Sequence, residues 1–278
     1  MLRHLLVVLV CLLLSVAALP AADSGVVLQG VVDSNPSIVV NPATDRIVAQ
    51  VVDGGSWQTS FFLTNLDPSK TIYWALDFRT DGGGVAALPL VGLTQPTGRV
   101  YASLPPNWSV QVDTVGTAAT LAQGWALLTT YDRSANDPAA VVTNDKIGGN
   151  AIFRQRIAGR PDFEAVVPIS PINEIKVVLP FDNRDNFSTG IVVLNPDQNN
   201  QATVQVAAFS TDGQLVRQDF FLLPPGNKMV FSMPDRYAEA RGRNGRLNIS
   251  TTGTGLSVLG LRFNPGGAFT STHALSTP

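Results

Sequence analysis

Few residues in this chain are of a type that does chemistry. There are two histidines, His4 and His273, and one cysteine, Cys11. A triad of serine, histidine and carboxylate would have to use His273, close to the last residue, and no Gly-x-Ser-x-Gly elbow is present to offer the serine. Chain ends are poor platforms for such work, and no catalytic residue is assigned. Zinc would rest on His273 and carboxylates, because no thiolate lies in the body of the chain. Calcium needs only oxygen ligands, and Asp182-Asn183-Arg184-Asp185-Asn186 gathers several in one turn. Asp182 and Asp185 are the calcium candidates, although Arg184 offsets their charge and Asx-turn hydrogen bonds are the simpler use of these side chains. No metal is assigned and no cofactor is expected.

Glycoside hydrolysis asks for two carboxylates across a groove, a spacing in space rather than in sequence. Glu164, Glu174 and Glu239 are the glutamates, and the aspartates fall mainly in turns such as Asp53, Asp81, Asp132 and Asp212. Recognition is the other use of polar and aromatic side chains. Trp74 and Trp125 stand in apolar strands and read as core, whereas Trp57 follows Asp53-Gly54-Gly55-Ser56 and Trp108 follows Pro105-Pro106-Asn107. Loop-borne aromatics offer rigid contact area, so Trp57 and Trp108 are ligand-binding candidates. Asp132, Asp137 and Asp145 join them, from an inserted segment running from Asp132 to Lys146. That segment and a second insertion near Pro89 to Gly98 are the expected places for partner specificity. Arg154 and Arg262 sit in late apolar strands, where their stems are expected to cross the core rim and their heads to meet a carboxylate or carbonyl.

With 45% apolar and 14% charged residues, the 278-residue chain can bury large cores, and its net charge of -2 gives no footing for nucleic acid. Arg3 and His4, the apolar run from Leu5 to Leu14 and the small residues up to Ala22 read as a secretory signal peptide at 1–22. Its run is short for a membrane span, so no transmembrane segment is expected after cleavage. Removal takes away Cys11, leaving a body that must fold without disulfides. A bacterial periplasm or exterior fits that usage, and the expected partner is a protein or glycan outside the cell.

What must position these residues is β-structure. Ile72, Trp74, Leu76 and Phe78 alternate along one strand face, and the same period of two recurs in Trp108-Val110-Val112, Ala202-Val204-Val206-Ala208 and Leu247-Ile249. Glycine-bearing turns such as Asp81-Gly82-Gly83-Gly84 and Asp212-Gly213 separate them. Each of these strands is expected to bury one face, and the one short helical candidate is Pro234 to Ala240. The chain also repeats. Thr59 to Asp67 matches Thr189 to Asp197 at a constant interval, with Thr59 answering Thr189 and Asn65 answering Asn195; Leu104-Pro105-Pro106 answers Leu223-Pro224-Pro225, and Phe153-Arg154 answers Leu261-Arg262.

Asn195-Pro196, Asp212-Gly213, Leu223-Pro224-Pro225-Gly226 and Leu261-Arg262-Phe263 together resemble the tandem β-sandwich modules of uncharacterised secreted bacterial proteins. The first half departs from the pattern at Leu66 and Asn107. The resemblance implies a secreted scaffold or surface module and brings no catalytic signature. The expected fold is all-β, two tandem antiparallel β-sandwich (immunoglobulin-like) domains, the first with longer loop insertions. The boundaries are an N-terminal extension or linker at 23–45, a first domain at 46–170 and a second at 171–278. A noncatalytic scaffold, adhesion or ligand-binding module is the leading expectation, with a glycan-directed hydrolase or a carbohydrate-binding accessory protein as the alternative.

Overall fold

The computed structural model describes residues 25–32, 40–42, 44–131, 146–172, 174–253, 255–272 and 274–276. The signal-peptide reading at 1–22, the insertion candidates Asp132, Asp137 and Asp145, and His273 lie outside the described residues. The chain is all-β. Its earlier half supplies β1 (Gln29–Val31), β2 (Arg46–Asp53), β3 (Trp57–Asn65), β4 (Ile72–Thr80), β5 (Arg99–Leu104), β6 (Ser109–Asp113), β7 (Ala122–Tyr131), β8 (Ile147–Gln155) and β9 (Phe163–Pro171). The later half supplies β10 (Lys176–Asp182), β11 (Ser188–Leu194), β12 (Ala202–Ser210), β13 (Leu215–Leu223), β14 (Lys228–Ser232), β15 (Asn244–Thr252), β16 (Ser257–Phe263), β17 (Phe269–Thr272) and β18 (Leu275–Ser276). Pro234 and Asp235 stand in a short helical turn, Met233–Arg236, and a 3-10 turn follows at Ala238–Ala240.

Every strand pairing among the described residues is antiparallel. The first half forms a nine-stranded sheet, β1-β5-β4-β7-β2-β9-β8-β3-β6, that curls into a half-barrel. The bend lies along β9, whose first part pairs with β8 and whose last three residues pair with β2. The second half forms two sheets, β13-β12-β15-β10-β18 and β14-β11-β16-β17. If β9 is read as the counterpart of β17 followed by β18, the run β5-β4-β7-β2-β9 has the same order as β13-β12-β15-β10-β18, and β6-β3-β8-β9 the same as β14-β11-β16-β17. At one crossing the backbones nearly touch in both halves: a Cβ on Gly124 would fall 1.8 Å from the Arg79 carbonyl oxygen, and one on Gly245 would fall 1.9 Å from that of Phe209. Only glycine fits there.

Burial departs from one face per strand. On β4, Ile72, Trp74, Leu76 and Phe78 fill the core as the alternation predicts, but Ala75, Asp77 and Arg79 on the other face are buried too. On β11 the split is clear: Ile191 and Val193 pack in the second half's own core, while Val192 and Leu194 belong to the core of the first half, with Leu259 and Leu261 of β16 beside them. The four-stranded sheet is therefore apolar on both sides and lies against β2 and β9. The insertion near Pro89 to Gly98 folds inward in part: Leu90, Thr97 and Gly98 are buried, while Val91, Gly92 and Thr94 to Pro96 are exposed.

Trp74 and Trp125 are both fully buried but differ in one bond. The Trp74 indole nitrogen has no hydrogen-bond partner, whereas that of Trp125 donates to the Gly226 carbonyl at 3.0 Å. Trp74→Phe gives up packing alone, a cost of about 1 to 2 kcal/mol. Trp125→Phe also strands the Gly226 carbonyl, so its urea midpoint is expected to correspond to a loss about 1 kcal/mol larger. Equal losses at the two positions would contradict this assignment.

Candidate functional site

The repeated residues Thr59, Thr189, Asn65 and Asn195 are spent on backbone. The Thr59 hydroxyl donates to the Val52 carbonyl at 2.8 Å and accepts the Val52 N–H at 3.0 Å, tying β2 to β3. Thr189 does the same with Asp182, at 3.2 Å and 2.9 Å. The Asn65 amide donates to the carbonyls of Lys70 (2.8 Å), Leu104 (2.9 Å) and Pro105 (3.0 Å), while its oxygen accepts the Asp67 N–H at 2.8 Å. Asn195 repeats the set with Asn200 (2.8 Å), Leu223 (3.1 Å), Pro224 (3.1 Å) and the Asp197 N–H (3.2 Å). Buried carbonyls at the ends of strands need donors that no ladder supplies, and a buried asparagine amide is a compact source of them.

The two tryptophan candidates part company. Trp57 opens β3 half-buried, its ring 5.4 Å from that of Phe269 and 5.8 Å from that of Phe153, so it helps to seal the two halves together. Trp108 is 47% exposed in the turn after Pro105-Pro106, where Asn107 takes a φ of 61°. The corresponding turn of the second half, Pro224-Pro225-Gly226-Asn227, is docked on the first half through Trp125. Just beyond that turn stands Lys228, which the sequence did not single out. Its ammonium is fully buried, 2.9 Å from the Asp81 carboxylate and 2.8 Å from the Gln50 amide oxygen, and it also donates to the Gly124 carbonyl. Burial lowers its pKa to about 8 against the pull of Asp81.

Of the two calcium candidates, Asp182 is already engaged by arginine side chains. Both Asp182 oxygens receive guanidinium donors, Arg184 at 2.9 Å and Arg262 at 2.9 Å, and the Arg184 bonds foremost hold its carboxyl far below the usual range. Arg262 also lies 3.7 Å over the Phe187 ring, the carboxylate-paired, rim-crossing arginine the sequence suggested. Asp185 sits in a left-handed conformation, φ 51°, beside Asn186 at φ 62°. Among the described residues, no three histidine, cysteine, aspartate or glutamate side chains converge on a metal-sized site. No helix among them is long and apolar enough to cross a membrane.

The remaining carboxylates are in part paired and in part buried. Glu239 pairs with Arg217 at 3.2 Å on the surface, and Glu174 accepts the Ser276 hydroxyl. Asp45 and Asp77 are both buried, close enough for each charge to act on the other. Burial drives the Asp45 pKa up to about 6, partly opposed by the Asn41 N–H that donates to it at 2.7 Å, and burial also raises that of Asp77 against the pull of Arg99 and Arg79. A carboxyl whose folded pKa lies above its unfolded value stabilises the fold fully at low pH, and that contribution is lost as pH climbs through the folded pKa. The protein is therefore expected to gain up to about 2 kcal/mol between pH 7 and pH 4 from this group. Asp45→Asn, which keeps an oxygen for the Asn41 N–H, should flatten the melting midpoint over that range; an unchanged slope would dismiss Asp45 as its source.

Two of the larger grooves along the described residues are open to a ligand. One, of about 500 Å³, runs along the junction and is lined by Val166, Pro168, Glu174, Leu259, Thr272 and Leu275 among others. The other, about 530 Å³, lies at one end of the second half and gathers Asp185, Asn186, Phe187, Asp235 and Arg241. Neither a scan against family models nor a search of curated proteins yields a match to this chain.

Proposed function

We propose that this chain is an exported, noncatalytic binding or scaffold module, built as two tandem immunoglobulin-like β-sandwiches and directed at a protein or glycan outside the cell. The observation that carries this reading is what the two halves keep in common. The threonine and asparagine pairs that recur between them hold backbone, and none faces an open groove with a base or nucleophile beside it. A duplicated unit that repeats only its structural side chains is suited to presenting surface, and the matching strand orders support duplication. The apolar run near the start of the chain, Leu5 to Leu14, supports export to a bacterial periplasm or beyond.

Exposed Trp108 is the residue best placed to meet a partner. Labelled protein is incubated with a glycan panel and intact bacterial cells, alongside Trp108→Ala. A binding signal that falls about tenfold or more in the variant, with the unfolding midpoint unchanged, supports recognition through this turn. The hydrolase alternative draws on the groove that holds both Asp185 and Asp235. Release of new reducing ends from a glycan, abolished in a chain carrying Asp185→Asn and Asp235→Asn, would replace the binding reading with that one.

A further inference from the structure

The two halves treat one sheet edge differently. In the first half β5 is flanked on its outer side by β1, which pairs Gln29 with Tyr101, Gly30 with Val100 and Val31 with Arg99. In the second half β13 holds the same place beside β12, and among the described residues nothing pairs with its other side. This edge is nine residues long, contains neither proline nor lysine, and exposes Phe220 (73%) and Leu222 (55%). Long apolar edges are normally blunted, because their unpaired main-chain groups template the addition of another strand. Here the Phe220 N–H is turned away from β12 and held by its neighbour's carboxylate, Asp219 Oδ1, at 2.9 Å.

We infer that β13 is a self-association edge, on which a second copy of this chain lays its own β13 antiparallel to form one sheet across the pair. The strand's own sequence selects that occupant. Gln218, Phe220 and Leu222 share the outer face, opposite Phe221 and Leu223, which pair with core residues Val204 and Ala202 of β12. With Phe220 on the twofold axis, it meets Phe220 of the second copy, its N–H leaving Asp219 Oδ1 for the carbonyl of that residue, while Leu222 meets Gln218 and Asp219 faces Phe221. A register centred on Asp219 instead sets like charges opposite each other and is disfavoured. Arg217 and Asp219 need no partner from the second copy, since Glu239 lies 3.2 Å from Arg217, and Arg236 and Tyr237 lie 3.2 Å and 3.1 Å from Asp219. A twofold contact of this kind closes on itself and gives a dimer rather than a fibre. The β1 strand on β5 shows that the corresponding edge of the same molecule accepts an added antiparallel strand.

Sedimentation equilibrium over a concentration series tests this. The wild-type chain is expected to show a monomer–dimer equilibrium, and Phe220→Lys and Leu222→Lys each to weaken it about tenfold or more with thermal midpoints unchanged, as both side chains are already in solvent. Phe220→Cys is expected to yield a disulfide-linked dimer on mild oxidation, because the axis brings the two positions together. A wild-type monomer at every concentration, lysine variants that associate as tightly as wild type, or a Phe220→Cys chain that forms no covalent dimer would each overturn the inference.

Discussion

Asn195→Ala is expected to cost about 3 to 5 kcal/mol, and Asn65→Ala a closely similar amount. Each amide serves three carbonyls, and its oxygen holds a turn N–H. Alanine leaves these groups in a place where both asparagines are at most 1% exposed, so water restores little of what is lost. A buried acceptor without a donor costs about 1 to 3 kcal/mol, and the carbonyls at the rim recover part of that from solvent. Asn→Asp at either site is expected to be worse, since it turns oxygen toward carbonyl oxygens. Urea titrations of the four variants would show it. A cost below about 1 kcal/mol at one site and a large one at the other would break the equivalence of the two clamps.

The second large effect lies between the halves. Leu194 is fully buried and faces the core of the first half, while Thr64, its counterpart on β3, is half-buried and hydrogen-bonded to Ser109 at 2.8 Å. Leu194→Asp places an unpaired carboxylate in that contact, and a loss of about 4 kcal/mol or more is expected. Thr64→Asp, on the outer face of the corresponding sheet, is expected to cost less than about 1 kcal/mol. Comparable losses at the two positions would mean that the later sheet is not buried on both sides.

That asymmetry was written in the sequence in a form that a search for alternation passes over. Ile191-Val192-Val193-Leu194 is apolar at every position, the mark of a strand covered on both faces, whereas Phe61-Phe62-Leu63-Thr64 ends in a hydroxyl. The period of two located β4, β12 and β15, and the repeated Thr and Asn marked both clamps, because these signals are local and depend on the strand alone. Burial of Asp77, Arg79 and Lys228 was not legible, since it arises where segments far apart in the chain come together. Lys228 gives the clearest case: it stands one residue past a turn in an ordinary strand, and only the docking of that turn on Gly124 and Asp81 takes its charge out of water. The site candidates divided in the same way. Trp57 looked like a loop aromatic from its glycine-rich approach, but its stacking partner Phe269 comes from the far end of the chain. Among the described residues of the second half no ring stacks on Trp108, which is 47% exposed.

Differential scanning calorimetry of the whole chain tests most directly the claim that the doubly buried sheet makes one cooperative unit of the two halves. The first core extends into β11, β16 and β17, and Lys228 and Trp125 bond across the contact, so neither half can open without exposing the other's apolar face. A single endotherm is expected, with a calorimetric enthalpy equal to the van't Hoff enthalpy. Two resolved endotherms, with Leu194→Asp leaving the midpoint of the first half's transition in place, would contradict it.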